Sequence, residues 1–172
     1  MPIRETDPVS LLSPYAASKH TGEAYCQAFT ASYGLATAVV RYSNVYGPGQ
    51  RPDNPYCGVV ARFLHDSINN KPMRIHGGGI QTRDYTYVTD IVAGTLAAKP
   101  GGPYNIATQK ETSVNKLADM IGGPIEHIGL RDIDNVSRRF LNIQKATREL
   151  GWQPKVGLAE GLDLTRQWLQ GR

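Results

Sequence analysis

A long helix followed directly by an apolar run is the feature that most constrains the fold. Ser13 is a good N-cap, Pro14 suits the first helical position and Gly34 suits the position after the last one, which predicts a helix over about residues 14–33. After that glycine, residues 35–41 form a short, β-branched and nearly continuous apolar run, typical of a strand buried in a parallel sheet. A helix that leads into such a strand indicates an α/β protein.

The rest of the chain continues this alternation of helices and strands. Helices are predicted over about 59–70, 91–99, 113–121, 142–150 and 158–169, and strands over 73–76, 83–88, 104–107 and 125–128. Residues 43–58 are rich in turn-forming residues and are predicted to be a long loop, while Thr89 or Asp90 is expected to cap the helix after it. Only 35–41 and 104–107 have the pattern of fully buried parallel strands, which is few for a complete parallel sheet.

Composition restricts the class of protein. Of 172 residues, 40% are hydrophobic and 20% are charged, as in ordinary globular domains. The formal charge is +4, but the 19 basic and 15 acidic residues are interspersed, so nucleic acid is not an expected partner. Two cysteines without metal-ligand spacing predict neither a disulfide framework nor a metal site. We find no apolar run of membrane-spanning length and no signal peptide, so a cytoplasmic protein is expected.

Tyr15 and Lys19 are the candidate catalytic pair. They stand four residues apart in the first turns of the predicted helix, so a phenol and an ammonium share one helical face. A nearby cation favours the ionised form of a phenol, which suits a group that transfers protons. The spacing alone is common by chance, so its meaning depends on the rest of the sequence.

Four motifs supply that context, in this order: PYAASK at 14–19, RYSNVYGPGQRP at 41–52, QTRDYTYV at 81–88 and ELGW at 149–152. Together they resemble the extended short-chain dehydrogenase/reductases that act on nucleotide sugars, the NAD-dependent epimerase/dehydratase family, over essentially the whole chain. The resemblance implies an α/β fold with the C-terminal part of a doubly wound Rossmann-type domain, namely its last two parallel strands and the Tyr-x-x-x-Lys helix. A small mixed α/β substrate-binding domain would follow. Residues 1–57 and the strand at 104–107 would belong to the first domain and residues 58–172 to the second.

The resemblance also implies a role for individual residues. Tyr15 would be the acid/base at the sugar 4-hydroxyl, and Lys19 would hold the nicotinamide ribose of NAD. Tyr42 and Ser43 would line the nicotinamide side of the cofactor site.

Six further residues would bind the nucleotide sugar. Within the family's pattern, the expected contacts are with the diphosphate, the ribose and the base, and His76 falls where the family usually has an aromatic ring stacked on the uracil. Between two of the six, the family's usual Pro-Gly is replaced by Asp132 and Ile133. The six residues are Asn44, Val59 (through its backbone), His76, Arg83, Arg131 and Asp134.

The family's Gly-x-x-Gly-x-x-Gly turn, which receives the cofactor pyrophosphate, is not found in this sequence, and Gly77–Gly79 is expected to be an ordinary turn. The resemblance therefore implies the C-terminal half of such an enzyme, with contacts to NAD on the nicotinamide side only and no activity by itself. A UDP-hexose 4-epimerase is the leading interpretation, and UDP-glucuronate epimerases and 4,6-dehydratases are related alternatives.

Two interpretations from other classes stay open. The chain could be a non-catalytic domain that binds a sugar nucleotide or a protein, or it could be one half of a split enzyme. The expected partners are a nucleotide sugar together with either a second copy, through helix 14–33, or an N-terminal half supplied in trans.

Overall fold

The structure is a computed structural model that describes residues 2–54, 56–130 and 136–171. Its helices are α1 Pro14–Tyr33, α2 Val59–Ile68, α3 Val88–Ala97, α4 Val114–Ile121, α5 Gln144–Leu150 and α6 Leu158–Gln170. Its strands are β1 Val39–Tyr42, β2 Asn44–Tyr46, β3 Met73–His76, β4 Thr82–Arg83, β5 Tyr85–Tyr87, β6 Pro103–Ile106, β7 Thr112–Ser113, β8 Ile125–Ile128 and β9 Arg138–Arg139. Within the described ranges, no helix combines the length and the apolar character that crossing a membrane requires.

Parallel pairing dominates the strands. β1 pairs with β6, β2 with β5 and β3 with β8, all in parallel. β4 pairs with β7 in antiparallel and with β9 in parallel fashion. Helices connect the parallel partners, as parallel pairing requires. This arrangement confirms the predicted α/β class.

Helix α1 has the bounds that its capping residues predict. The Ser13 hydroxyl accepts a hydrogen bond from the Ala16 N–H at 3.1 Å, and Gly34 adopts the left-handed conformation that closes the helix. None of its residues is buried. A bidentate ion pair fastens it to β1, because Arg41 donates from Nε and Nη2 to the Glu23 carboxylate at 2.8 and 2.7 Å.

The strand predicted at 35–41 begins only at Val39, and this part of the prediction is wrong. Its partner strand β6 starts at Pro103, opposite Val39, so earlier residues have no neighbouring strand to pair with. The segment before Val39 is instead tied to the end of α1, where the Thr30 hydroxyl donates to the Leu35 carbonyl at 2.7 Å. The predicted loop at 43–58 also contains the short strand β2, which pairs with β5.

Helix α3 starts three residues earlier than predicted, and neither Thr89 nor Asp90 caps it. Asp90 is buried and its carboxylate accepts the backbone N–H groups of Lys155 and Val156 at 3.0 and 2.9 Å. The Asp90 carbonyl also accepts from the Trp152 indole at 3.1 Å. A residue expected to cap its own helix thus holds the segment that leads into α6.

The core consists of two clusters of buried side chains. The larger one joins β2, β3 and β5 to α2, α4 and α6, and the smaller one joins α3 and β6 to Ala146 and Trp152, with Val40 of β1 packed against it. Helix α6 approaches β2 so closely that a side chain at Gly161 would overlap the Tyr46 hydroxyl. The predicted domain boundary at 57/58 stays a prediction.

Candidate functional site

A cleft of about 1420 Å³ lies beside α2, and its walls come from α2, β3, β4, the end of β8 and the loop before α2. Four of the six residues predicted to bind the nucleotide sugar line this one cleft: Asn44, Val59, His76 and Arg83. They come from four separate segments of the chain, so it is the fold that brings them together. The other two, Arg131 and Asp134, lie outside the described residues.

Asn44 and Arg83 are held next to each other by the strand ends. The Asn44 N–H donates to the Asp84 carbonyl at 2.9 Å, and Asn44 stands opposite Tyr85 in the parallel pair β2/β5. Arg83 ends β4, and its Nη1 donates to the Thr82 carbonyl at 2.8 Å. The Arg83 guanidinium and the Asn44 amide therefore both line the cleft, from neighbouring segments of the chain.

Asp84 lies between Arg83 and Tyr85 and links the end of β4 to the segment at Thr108 and Gln109. It is fully buried, and one carboxylate oxygen accepts from the Thr108 N–H and hydroxyl at 3.0 and 2.6 Å, while the other accepts from the Gln109 N–H at 2.9 Å. Burial raises the pKa of the Asp84 carboxyl, and the hydrogen bonds from Thr108 and Gln109 partly oppose that rise. Gln109 has φ +59°, a conformation that costs energy for a residue other than glycine and that Asp84 helps to hold.

His76 is held in one orientation at the end of β3. Its Nδ1 lies 2.9 Å from the Gly129 carbonyl oxygen. A carbonyl can only accept, so Nδ1 carries the proton and Nε2 of the neutral ring is an acceptor. The neighbouring strand mirrors this contact, since Nδ1 of His127 lies 2.8 Å from the Gly77 carbonyl oxygen.

Two of the cationic side chains that line the cleft already have carboxylate partners. Arg74 of β3 pairs with Glu126 of β8 at 3.1 Å, and Arg138 of β9 pairs with Glu111 at 2.6 Å. Hydrogen bonds from Arg138 and then Thr82 lower the pKa of Glu111 to about 2. The first pair joins the neighbouring strands β3 and β8. The second pair links β9 to the residue that precedes β7, on the other side of β4.

Tyr15 and Lys19 lie together in the first turns of α1, as predicted. The Lys19 ammonium stands 5.3 Å from the centroid of the Tyr15 ring, and Tyr15 is 69% exposed. Neither residue is among the described residues that line the cleft. The pair is formed and open to a ligand, but the described part of the chain does not enclose it.

Tyr42 and Ser43, predicted to line the nicotinamide side, both use their hydroxyls within the protein. The Tyr42 hydroxyl lies 2.9 Å from the Thr95 hydroxyl oxygen, and the Ser43 hydroxyl lies 2.6 Å from that of Thr86. These contacts fix both side chains at the end of β1. Their contact with a cofactor stays a prediction.

Cys57 and Arg62 are among the cleft residues that sequence reasoning did not predict. Burial raises the pKa of the Cys57 thiol, and the charge of Arg62 acts in the opposite direction. Arg62 follows Val59 by three residues, which places both on one face of α2. That spacing is the signal that could have identified Arg62.

Relatives of known name share this fold. A UDP-glucose 4-epimerase of Mycolicibacterium smegmatis is 35% identical over 99% of this chain and 57% of its own length. The solved UDP-glucose 4-epimerase of Thermotoga maritima with UDP-glucose is 36% identical and superimposes with a TM-score of 0.90, over 99% of this chain and 57% of that one. The Thermus thermophilus UDP-glucose 4-epimerase in complex with NAD is 32% identical with a TM-score of 0.90, over 99% and 58%. This chain thus spans little more than half the length of these relatives.

These likenesses show that the chain has the α/β fold of part of these enzymes, and they confirm the predicted fold class. The sequence model of the NAD dependent epimerase/dehydratase family matches residues 1–107, well over half of the chain. The chain belongs to the NAD-dependent epimerase/dehydratase family.

Proposed function

We propose that this chain supplies the catalytic tyrosine and the nucleotide-sugar site of an NAD-dependent UDP-hexose 4-epimerase. The observation that carries the proposal is the meeting of Asn44, Val59, His76 and Arg83 in one cleft. An arginine suits a diphosphate because its guanidinium makes charge-assisted, bidentate contacts. The similar structures solved with UDP-glucose and with NAD support the same choice of ligands.

In this proposal Tyr15 holds and moves the proton of the sugar 4-hydroxyl. Its exposed phenol can reach a ligand, and the Lys19 ammonium lies over the ring of the same side chain. Bound NAD would supply a hydride acceptor for C4 of the sugar. Asn44 and Arg83 would orient the substrate through its diphosphate.

The described residues fit only one end of the cofactor. Tyr15, Lys19, Tyr42 and Ser43 lie on α1 and at the end of β1, where they would hold the nicotinamide and its ribose. The printed sequence contains no Gly-x-x-Gly-x-x-Gly turn for the pyrophosphate. The pyrophosphate contacts would come from a longer or a second polypeptide. In this division residues 1–57 and β6 complete the cofactor domain, and residues 58–172 hold the nucleotide sugar.

Turnover tests this proposal directly. With UDP-glucose and NAD⁺, we expect the chain alone to give no UDP-galactose, and the chain with a complementing N-terminal Rossmann segment to epimerise it, as measured by chromatography of the products. UDP-glucuronate and dTDP-glucose, assayed in parallel, distinguish the related epimerase and dehydratase alternatives. Turnover of UDP-glucuronate or of dTDP-glucose, without turnover of UDP-glucose, would contradict the choice of UDP-hexose.

One observation favours a second candidate, in which the chain acts as a binding domain or as half of a split enzyme. The aromatic residues of α1 are largely in solvent, with Tyr25 63% and Tyr33 78% exposed. Exposed apolar surface of this kind marks an interface. A segment that binds α1 without restoring turnover would favour the binding domain, whereas restored turnover would favour the split enzyme.

Cys57 offers a way to detect ligand in the cleft without measuring turnover. In a Cys26→Ser chain we expect UDP-glucose at ten times its Kd to slow maleimide labelling of Cys57 about tenfold, because only the free protein exposes the thiol. Mass spectrometry of the labelled chain gives the rate. The matched control is Cys26 in a Cys57→Ser chain, since Cys26 lies on α1 away from the cleft-lining residues. Equal protection of both thiols would speak against binding in this cleft.

A further inference from the structure

Arg62 stands out among the cations of the cleft because of its surroundings. It lies in the first part of α2, three residues after Val59, and lines the cleft together with Arg83. Its guanidinium forms no ion pair with any carboxylate of the described residues, whereas Arg74 and Arg138 each form one.

Neither of the two described carboxylates that line the cleft forms an ion pair with Arg62. Asp53 forms a 2.6 Å ion pair with Arg51, and Asp66 lies 3.5 Å from His65. Among the residues that the structure describes, the cleft therefore contains an arginine with no carboxylate partner. An anionic ligand would gain from that charge without having to break an existing pair.

The structure assigns to Arg62, we propose, a direct contact with the diphosphate of the nucleotide sugar, in addition to the predicted contacts of Arg83 and Arg131. This assignment rests on the proposed function, because it requires that the cleft take a nucleotide sugar. Each additional guanidinium group adds a charge-assisted contact to the two or more negative charges of a diphosphate. The contact also explains why a charged side chain occupies the helical face that Val59 presents to the cleft.

Binding of charged and uncharged ligands to the purified chain tests the assignment. By calorimetry, we expect Arg62→Gln to weaken UDP binding roughly tenfold or more and to leave uridine binding unchanged, because uridine lacks the phosphates. Arg62→Lys should recover part of the affinity for UDP, since it keeps the charge and loses the fork. The matched control is Arg148→Gln, for which we expect at most a small change because Arg148 is paired with Glu149 and does not line the cleft. Thermal unfolding of each variant reports whether it is folded.

Each other result has a definite meaning. Unchanged UDP binding by folded Arg62→Gln, or an equal loss for UDP and uridine, overturns the assignment. A loss confined to UDP-glucuronate, with UDP unaffected, assigns Arg62 to a carboxylate on the sugar and also overturns it. If the wild-type chain binds neither UDP nor uridine, the proposed function of the cleft fails, and the assignment fails with it.

Discussion

Replacement of Tyr15 by phenylalanine is expected to lower epimerase turnover by about 10² to 10⁴, the usual effect of removing an acid/base group. The ring stays in place, so its contact with the Lys19 ammonium is kept and only the hydroxyl is lost. The measurement is kcat for UDP-glucose in an active preparation, with the complementing Rossmann segment where activity requires it. Binding of UDP to the cleft should be unchanged, because Tyr15 does not line it.

Tyr25 provides the matched control for this experiment. It lies on the same helix, is exposed to a similar degree and is not among the residues predicted to bind cofactor or substrate, and phenylalanine keeps the ring that it contributes to the aromatic surface of α1. Tyr25→Phe should therefore leave kcat within about twofold of the wild type, since an exposed hydroxyl without a role costs little. A near-normal rate for Tyr15→Phe would remove Tyr15 from the proton transfer.

Replacement of Asp84 by alanine is expected to destabilise the fold by about 3 kcal/mol, because the buried donors of Thr108 and Gln109 lose their acceptor. Urea unfolding followed by circular dichroism gives the free energy. Asp84→Asn keeps the shape and one acceptor oxygen, but its amide N–H faces another donor, so we expect an intermediate loss. Equal stability of wild type and Asp84→Ala would show that the carboxylate does not anchor the turn at Thr108 and Gln109.

The same residue predicts a pH dependence. Burial raises the pKa of the Asp84 carboxyl above its ordinary value of 3.8, so ionisation costs more in the folded state than in the unfolded state. The protonated carboxyl contributes to the free energy of unfolding. This contribution is fully present below pH 3.8 and is lost as the pH rises through the raised pKa of the folded state. Asp84→Asn removes this titration. The stability of the wild type relative to Asp84→Asn should therefore fall over that range, and a difference that rises with pH would contradict the direction of the shift.

Local signals predicted the elements that depend on local contacts. Ser13, Pro14 and Gly34 fixed both ends of α1, because capping involves only residues within one turn. The start of β1 could not be predicted in this way, because it depends on where β6 begins, about sixty residues later. Asp90 was assigned to a local cap because its real partners, Lys155 and Val156, lie far along the chain.

The candidate site shows the same limit. The resemblance to the family identified Asn44, Val59, His76 and Arg83, which the fold then brings into one cleft. It did not identify Arg62, because a charged residue on an amphipathic helix is most often simply solvated, and only the three-dimensional structure shows that Arg62 lines the cleft. It did not reveal the anchoring by Asp84 either, because Thr108 and Gln109 are 24 and 25 residues away.

The close approach of α6 to β2 also restricts which changes natural selection can accept. An alanine at position 161 would need the space that the phenol of Tyr46 now occupies. We therefore expect the two positions to covary among homologous proteins, with alanine at 161 accompanied by a smaller residue at 46. An alignment in which they vary independently would mean that α6 can move away from β2 at little cost.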